Sequence, residues 1–98
     1  MAGPRPLLIV DDDAALRQTL AEQLSLDGEF LPAEAETAGE AEQMLTGAES
    51  RYDAVLLDIG LPDGDGRELC ARLRKQGLKI PVIMLTGADA EQDVVRGL

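Results

Sequence analysis

Aspartate is the residue type that stands out for chemistry. Asp11, Asp12 and Asp13 lie side by side where the apolar run LLIV, residues 7–10, ends. Asp58 ends a second apolar run, AVLL, and Thr86 follows a third, IPVIML. Adjacent carboxylates repel, more strongly beside a low-dielectric core. Such a cluster is either solvated or built for a cation. Taken alone, the triple aspartate is an ordinary solvated strand end as readily as a site. With Asp58 and Thr86 at matching strand ends, a site becomes the better reading. Magnesium suits it, as a hard cation that takes carboxylate, carbonyl and water oxygens. A carboxylate beside such an ion and a hydroxyl donor is a nucleophile toward phosphorus, and the ion offsets charge on the transferred group.

These residues need elements to bring them together. PLLIV does not alternate, which predicts a strand buried on both faces. Leu16, Leu20 and Leu24 mark one helical stripe from about Ala14 to Leu26, broken at Gly28. EFLPA is a weak strand, and Pro32 assigns it to a sheet edge because proline cannot donate to a ladder. Thr37 and Glu40 form a capping-box pattern ahead of a second helix with Ala38, Ala41, Met44 and Leu45 inward. YDAVLLD is a second fully buried strand, and IGLPDGDG a turn-rich loop whose glycines let backbone approach closely. A third helix runs from Gly66 to Gln76 with Leu69, Cys70 and Leu73 inward, capped by Asp65 and stopped by Gly77. Ile80 to Leu85 is a third buried strand, and ADAEQDVVRGL starts a fourth helix. Alternating strands and helices predict a parallel sheet covered on both faces, with ligands outside the carboxyl ends of its strands.

Composition narrows the class. The 98 residues suit one domain. Only Phe30 and Tyr52 are aromatic, so the core must be aliphatic. A net charge of −10 argues against the domain gripping nucleic acid or anionic lipid by its own field. Cys70 stands alone, which excludes an internal disulfide and fits core packing in a reducing compartment. No apolar run approaches the roughly 20 residues of a membrane span, and MAGPRP lacks the apolar segment of a secretory signal. A cytoplasmic protein without membrane contact is expected. Glu34, Glu36, Glu40 and Glu42 read as a solvated face.

LLIVDDDAALR, YDAVLLDIGLPDGDG and IPVIMLTG, in that order, resemble the receiver domain of bacterial response regulators over nearly the whole chain, residues 1–98. The loop after Asp58 most resembles the subfamily whose receivers precede a winged-helix DNA-binding domain. The resemblance implies a flavodoxin-like α/β fold with strand order 2-1-3-4-(5). It implies that Asp58 accepts a phosphoryl group from a sensor histidine kinase or phosphotransfer protein. Asp12, Asp58 and the backbone carbonyl of Gly60 would ligate Mg²⁺, with Asp11 acting through water. Thr86 would contact the phosphoryl group and report the phosphorylated state. Asp13 receives no ligand role. DNA would be reached only through an effector domain outside this chain.

One departure from the family pattern concerns the lysine expected at the end of a fifth strand. The only lysines are Lys75, on the third helix, and Lys79, which precedes the third buried strand at the far end of the sheet. The fifth strand and last helix are absent as well. The expectation is therefore a receiver incomplete at its C-terminus, self-associating through the edge at Ile80 to Thr86 or through the helix after Thr86. Two alternatives stand beside it. One is an interaction module without phosphotransfer. The other is a phosphohydrolase with an aspartate nucleophile, using Asp11 and Asp13 as its Asp-x-Asp pair.

Overall fold

A computed structural model describes residues 3–47 and 50–85. Thr86 and the predicted fourth helix lie outside the described residues. The elements in chain order are β1 (Arg5–Val10), α1 (Ala14–Ser25), β2 (Phe30–Ala35), α2 (Ala38–Thr46), β3 (Ala54–Asp58), β4 (Gly60–Leu61), β5 (Gly64–Asp65), α3 (Gly66–Lys75) and β6 (Val82–Leu85). Among them, β2, β1, β3 and β6 form a parallel sheet in the order β2-β1-β3-β6, while β4 and β5 make a small antiparallel hairpin. The predicted order is borne out, β6 being the fourth strand of the main sheet. Pro32 sits in β2 at the edge, opposite Leu7.

The sheet has two unequal faces. Leu8, Val10, Val55, Leu57, Val82 and Met84 point to one side and form a continuous buried core with Ala38, Ala41 and Leu45 of α2 and Leu69, Cys70 and Leu73 of α3. The other face carries Leu7, Ile9, Leu56 and Ile83, and α1 packs there against β1 and β2. Leu7 and Ile9 are buried, so β1 is closed on both faces as its sequence predicts. Full burial of β3 and β6 is not observed. Both alternate, Leu56 is half-buried, and Ile83 keeps 38% of its surface exposed. The cause is position: α1 lies over β1 and β2, leaving β3 and β6 less covered on that face. For the same reason α1 buries no residue completely, and Leu16 of its stripe remains 44% exposed.

The helix ends follow their sequence signals. Thr37 Oγ1 accepts from the Glu40 N–H at 3.1 Å, and the Glu40 carboxylate accepts from the Glu36 N–H at 2.9 Å. That is a capping box displaced by one residue, reaching the amide before the cap. Asp65 accepts from the Arg67 N–H and starts α3. Gly77 follows α3 at φ +101°, a left-handed conformation that suits glycine. The acidic stretch is not a merely solvated face. Glu34 pairs with Arg17, and Glu42 receives hydrogen bonds from Arg72 and Gln76, joining α2 to α3.

Candidate functional site

Parallel strands bring distant residues to one edge when their ends are in register. Val10 pairs with both Ala35 and Leu57, and Asp58 with Leu85. The residues that follow β1 and those that close β3 therefore emerge together at the carboxyl end of the sheet. Asp11, Asp12 and Asp58 each offer a carboxylate oxygen, and these lie within 4.8 Å of one another. The burial of the three is graded: Asp11 is 4% exposed, Asp58 is half-buried and Asp12 is open to solvent.

Asp11 carries the electrostatic cost. Burial pushes its carboxyl above the ordinary range, and the charges of Asp58, Asp12 and Asp13 add to that; the Asp13 N–H, donating at 2.9 Å, pulls the other way. A buried acid beside two further carboxylates is a place where a divalent cation would relieve repulsion, and the donor set is all hard oxygen. The cluster fits Mg²⁺ on that ground.

Asp13 has separate work. Its side chain accepts from the Leu16 N–H at 3.1 Å and caps α1. It is thus engaged with the helix, while Asp12 joins Asp11 and Asp58. Arg17, one turn into α1, donates from Nη1 to the Asp11 carbonyl at 2.7 Å and from Nε to Glu34 at 2.8 Å. It fastens the loop after β1 to α1 and to the edge strand. Nothing in the local spacing of Arg17 announces a bond to a carbonyl six residues away.

The segment after Asp58 is the second support. What the sequence marks as a plain loop contains the β4–β5 hairpin, turning at Pro62 and Asp63. The Gly60 N–H donates to Asp58 Oδ1 at 3.2 Å, and the Gly66 N–H donates to the Ile59 carbonyl at 2.8 Å. A Cβ at Gly66 would overlap the Asp58 carbonyl oxygen, so the close approach expected of these glycines falls at this position. At the turn, Asp63 accepts from the Ala38 N–H at 2.7 Å and the Gly39 N–H at 3.0 Å. Thr86, the remaining predicted site residue, lies outside the described residues.

Comparison with known proteins decides the family. The family model for the response regulator receiver domain matches residues 7–98. The chain belongs to the response regulator receiver family. It is 39% identical over 95 residues to the response regulator MprA of Mycobacterium sp. (strain KMS), covering 97% of this chain and 40% of that protein. It is 44% identical over 92 residues to the transcriptional regulatory protein PmrA of Pectobacterium parmentieri, covering 94% of this chain and 40% of the relative. This receiver chain therefore spans about 40% of the length of these curated relatives. Among solved structures, the response regulator TrrA of Thermotoga maritima, in complex with Mg²⁺ and beryllofluoride, superposes with a TM-score of 0.76 at 32% identity, covering 87% of this receiver and 71% of that chain. The predicted flavodoxin-like receiver fold is borne out. No helix among the described residues is long and apolar enough to cross a membrane.

Proposed function

We propose that this receiver is a phosphorylation-dependent switch whose phosphoacceptor is Asp58. The observation that carries the reading is the convergence of Asp11, Asp12 and Asp58, with oxygens inside 4.8 Å of one another at the carboxyl end of the sheet. Asp12, Asp58 and the Gly60 carbonyl would hold Mg²⁺, and Asp11 would act through bound water. The ion would supply positive charge against the developing charge on the transferred group. A carboxylate oxygen of Asp58 attacks phosphorus of a phosphohistidine on a histidine kinase or phosphotransfer protein. The phosphorus–nitrogen bond breaks, its electron pair returns to the imidazole, and an acyl phosphate forms on Asp58. Asp11 and Asp12 keep the neighbourhood acidic and oxygen-rich. Thr86 would bind a phosphoryl oxygen and move inward, repacking the chain that follows.

Asp13 supports this reading over the phosphohydrolase alternative, because the carboxylate that chemistry would recruit caps α1. Output through a DNA-binding effector, of winged-helix type, is proposed on the likeness to a transcriptional regulatory protein, as is a cytoplasmic setting. Self-association belongs to the same proposal. Ile83, on the face of β6 that α1 leaves open, is 38% exposed and is the contact surface we propose. Sedimentation across micromolar concentrations tests that part, and a concentration-independent monomer rejects it.

The metal is tested by melting the protein with and without millimolar Mg²⁺. Binding to the folded state raises Tm by mass action, and Asp12→Ala abolishes the rise. An unchanged Tm in the unsubstituted protein rejects the site.

A further inference from the structure

Asp63 is exposed, stands at the tip of a two-stranded hairpin, and spends both carboxylate oxygens on a helix in another part of the chain. Oδ1 accepts from the Ala38 N–H at 2.7 Å and Oδ2 from the Gly39 N–H at 3.0 Å. These amides are among those that the first turn of α2 leaves without intrahelical partners. The helix also has local caps. Thr37 holds the Glu40 N–H and Glu40 holds the Glu36 N–H. Water could serve the exposed Gly39 amide. A carboxylate brought from 24 residues away therefore joins two elements as well as capping one. The carboxylate lies close against this turn, and a Cβ at position 39 would stand in van der Waals contact with Asp63 Oδ2, at 3.4 Å.

The hairpin needs such a joint. Its base is fixed where the Gly66 N–H meets the Ile59 carbonyl at 2.8 Å and Gly66 closes on the Asp58 backbone. Leu61 is buried in the core and holds β4 by its side chain. The exposed turn at Pro62 and Asp63 lies beyond that hold, and the two Asp63 bonds fix it to α2. Gly60 lies on the strand between the base and this turn.

We propose that Asp63 is a positioning residue for the metal site: by clamping the hairpin tip to the N-terminus of α2, it holds the Gly60 carbonyl at the acidic cluster. This rests on the metal reading given above and adds to it the residue that sets loop geometry. Its carboxyl is held below the usual aspartate range by the Ala38 and Gly39 amides, so it remains ionised and able to clamp at neutral pH.

The test is calorimetric titration of the full chain with MgCl₂, together with amide hydrogen exchange without metal. Groups that orient a metal ligand typically contribute tenfold or more to affinity. Asp63→Ala should weaken Mg²⁺ binding by about tenfold, at the low end because Asp63 acts through the hairpin. Asp63→Asn keeps one acceptor and should fall between. Glu68→Gln, which removes one exposed charge from the first turn of α3, should change affinity by no more than about twofold, the size expected of a screened surface charge. Exchange at Leu61 and Gly66 should quicken in Asp63→Ala along with that at Ala38 and Gly39. Equal weakening in Asp63→Ala and Glu68→Gln would mean that charge alone is at work and would overturn the proposal. Faster exchange confined to Ala38 and Gly39 would overturn it too. Failure of the unsubstituted chain to bind Mg²⁺ would overturn the metal reading instead, and exchange at Leu61 and Gly66 would then decide the clamp by itself.

Discussion

Arg17 donates to the backbone carbonyl of Asp11 at 2.7 Å, from a side chain that is only 12% exposed. The bond ties the most buried acid of the site to the first helix, and Glu34 holds the other side of the same guanidinium. Arg17→Ala leaves that carbonyl without its charged donor and Glu34 without its partner. Hydrogen bonds to charged groups contribute more than neutral ones, so a loss of about 1–2 kcal/mol is expected. Arg17→Lys should recover only part of it, because an ammonium lacks the planar fork that reaches both acceptors. Urea unfolding followed by circular dichroism measures both.

Asp11→Asn should have the opposite effect. Asparagine keeps the acceptor for the Asp13 N–H and removes a buried charge that faces Asp12 and Asp58. The metal-free protein should therefore melt a few degrees higher, while its gain in Tm from Mg²⁺ should shrink. A lower Tm without metal would show that the Asp11 charge is compensated by contacts other than these.

Gly66→Ala tests the close approach beneath the phosphoacceptor. The added methyl would meet the Asp58 carbonyl oxygen and lie 3.0 Å from the Ile59 Cα, both backbone atoms with little freedom to yield. Overpacking of this kind costs about 1–3 kcal/mol. Weaker Mg²⁺ binding should accompany the loss, since Gly60 and Asp58 share the displaced segment. A fully stable Gly66→Ala protein with unchanged metal affinity would show that the loop absorbs the methyl elsewhere.

Acid stability should turn on Asp63. Its folded-state pKa is depressed by the Ala38 and Gly39 amides, so below the ordinary value of about 3.9 the unfolded chain binds the proton more readily than the native one. The stabilisation is complete above that value and is lost as pH falls through the depressed one. Asp65, held down by Arg67, and Glu42, held down by Arg72 and Gln76, act in the same direction. Asp11 acts oppositely: its raised pKa makes it destabilising at neutral pH and less so in acid. The stability difference between the unsubstituted protein and Asp63→Ala should be constant near neutrality and should narrow below about pH 4. Urea midpoints measured from pH 7 to pH 3 check it, and a difference that widens in acid would contradict the assignment.

Much of this was legible because the signals are local. Apolar runs ending on Asp11, Asp12 and Asp58 are contiguous in sequence, Pro32 declares an edge wherever it falls, and the caps at Thr37, Asp65 and Gly77 act within one turn. The missed features are of another kind. Two-residue strands such as Gly60–Leu61 have no period to detect. The Arg17–Glu34, Asp63–Ala38 and Glu42–Arg72 contacts join residues 17, 25 and 30 positions apart, so no spacing rule finds them before the fold is known. The half-exposure of Leu56 and Ile83 was hidden differently. An apolar run states what a strand could bury, and the placement of α1 over β1 and β2 decides what it does bury.

The central claim, that Asp58 receives the phosphoryl group, is tested most directly by mass spectrometry. An intact receiver carrying these residues is incubated with Mg²⁺ and a small phosphodonor, its intact mass is measured, and the modified residue is located after reductive trapping and digestion. One phosphoryl group on Asp58, dependent on Mg²⁺ and absent in Asp58→Asn, is the expected result. Phosphate on a different residue, or equal labelling of Asp58→Asn, would contradict it.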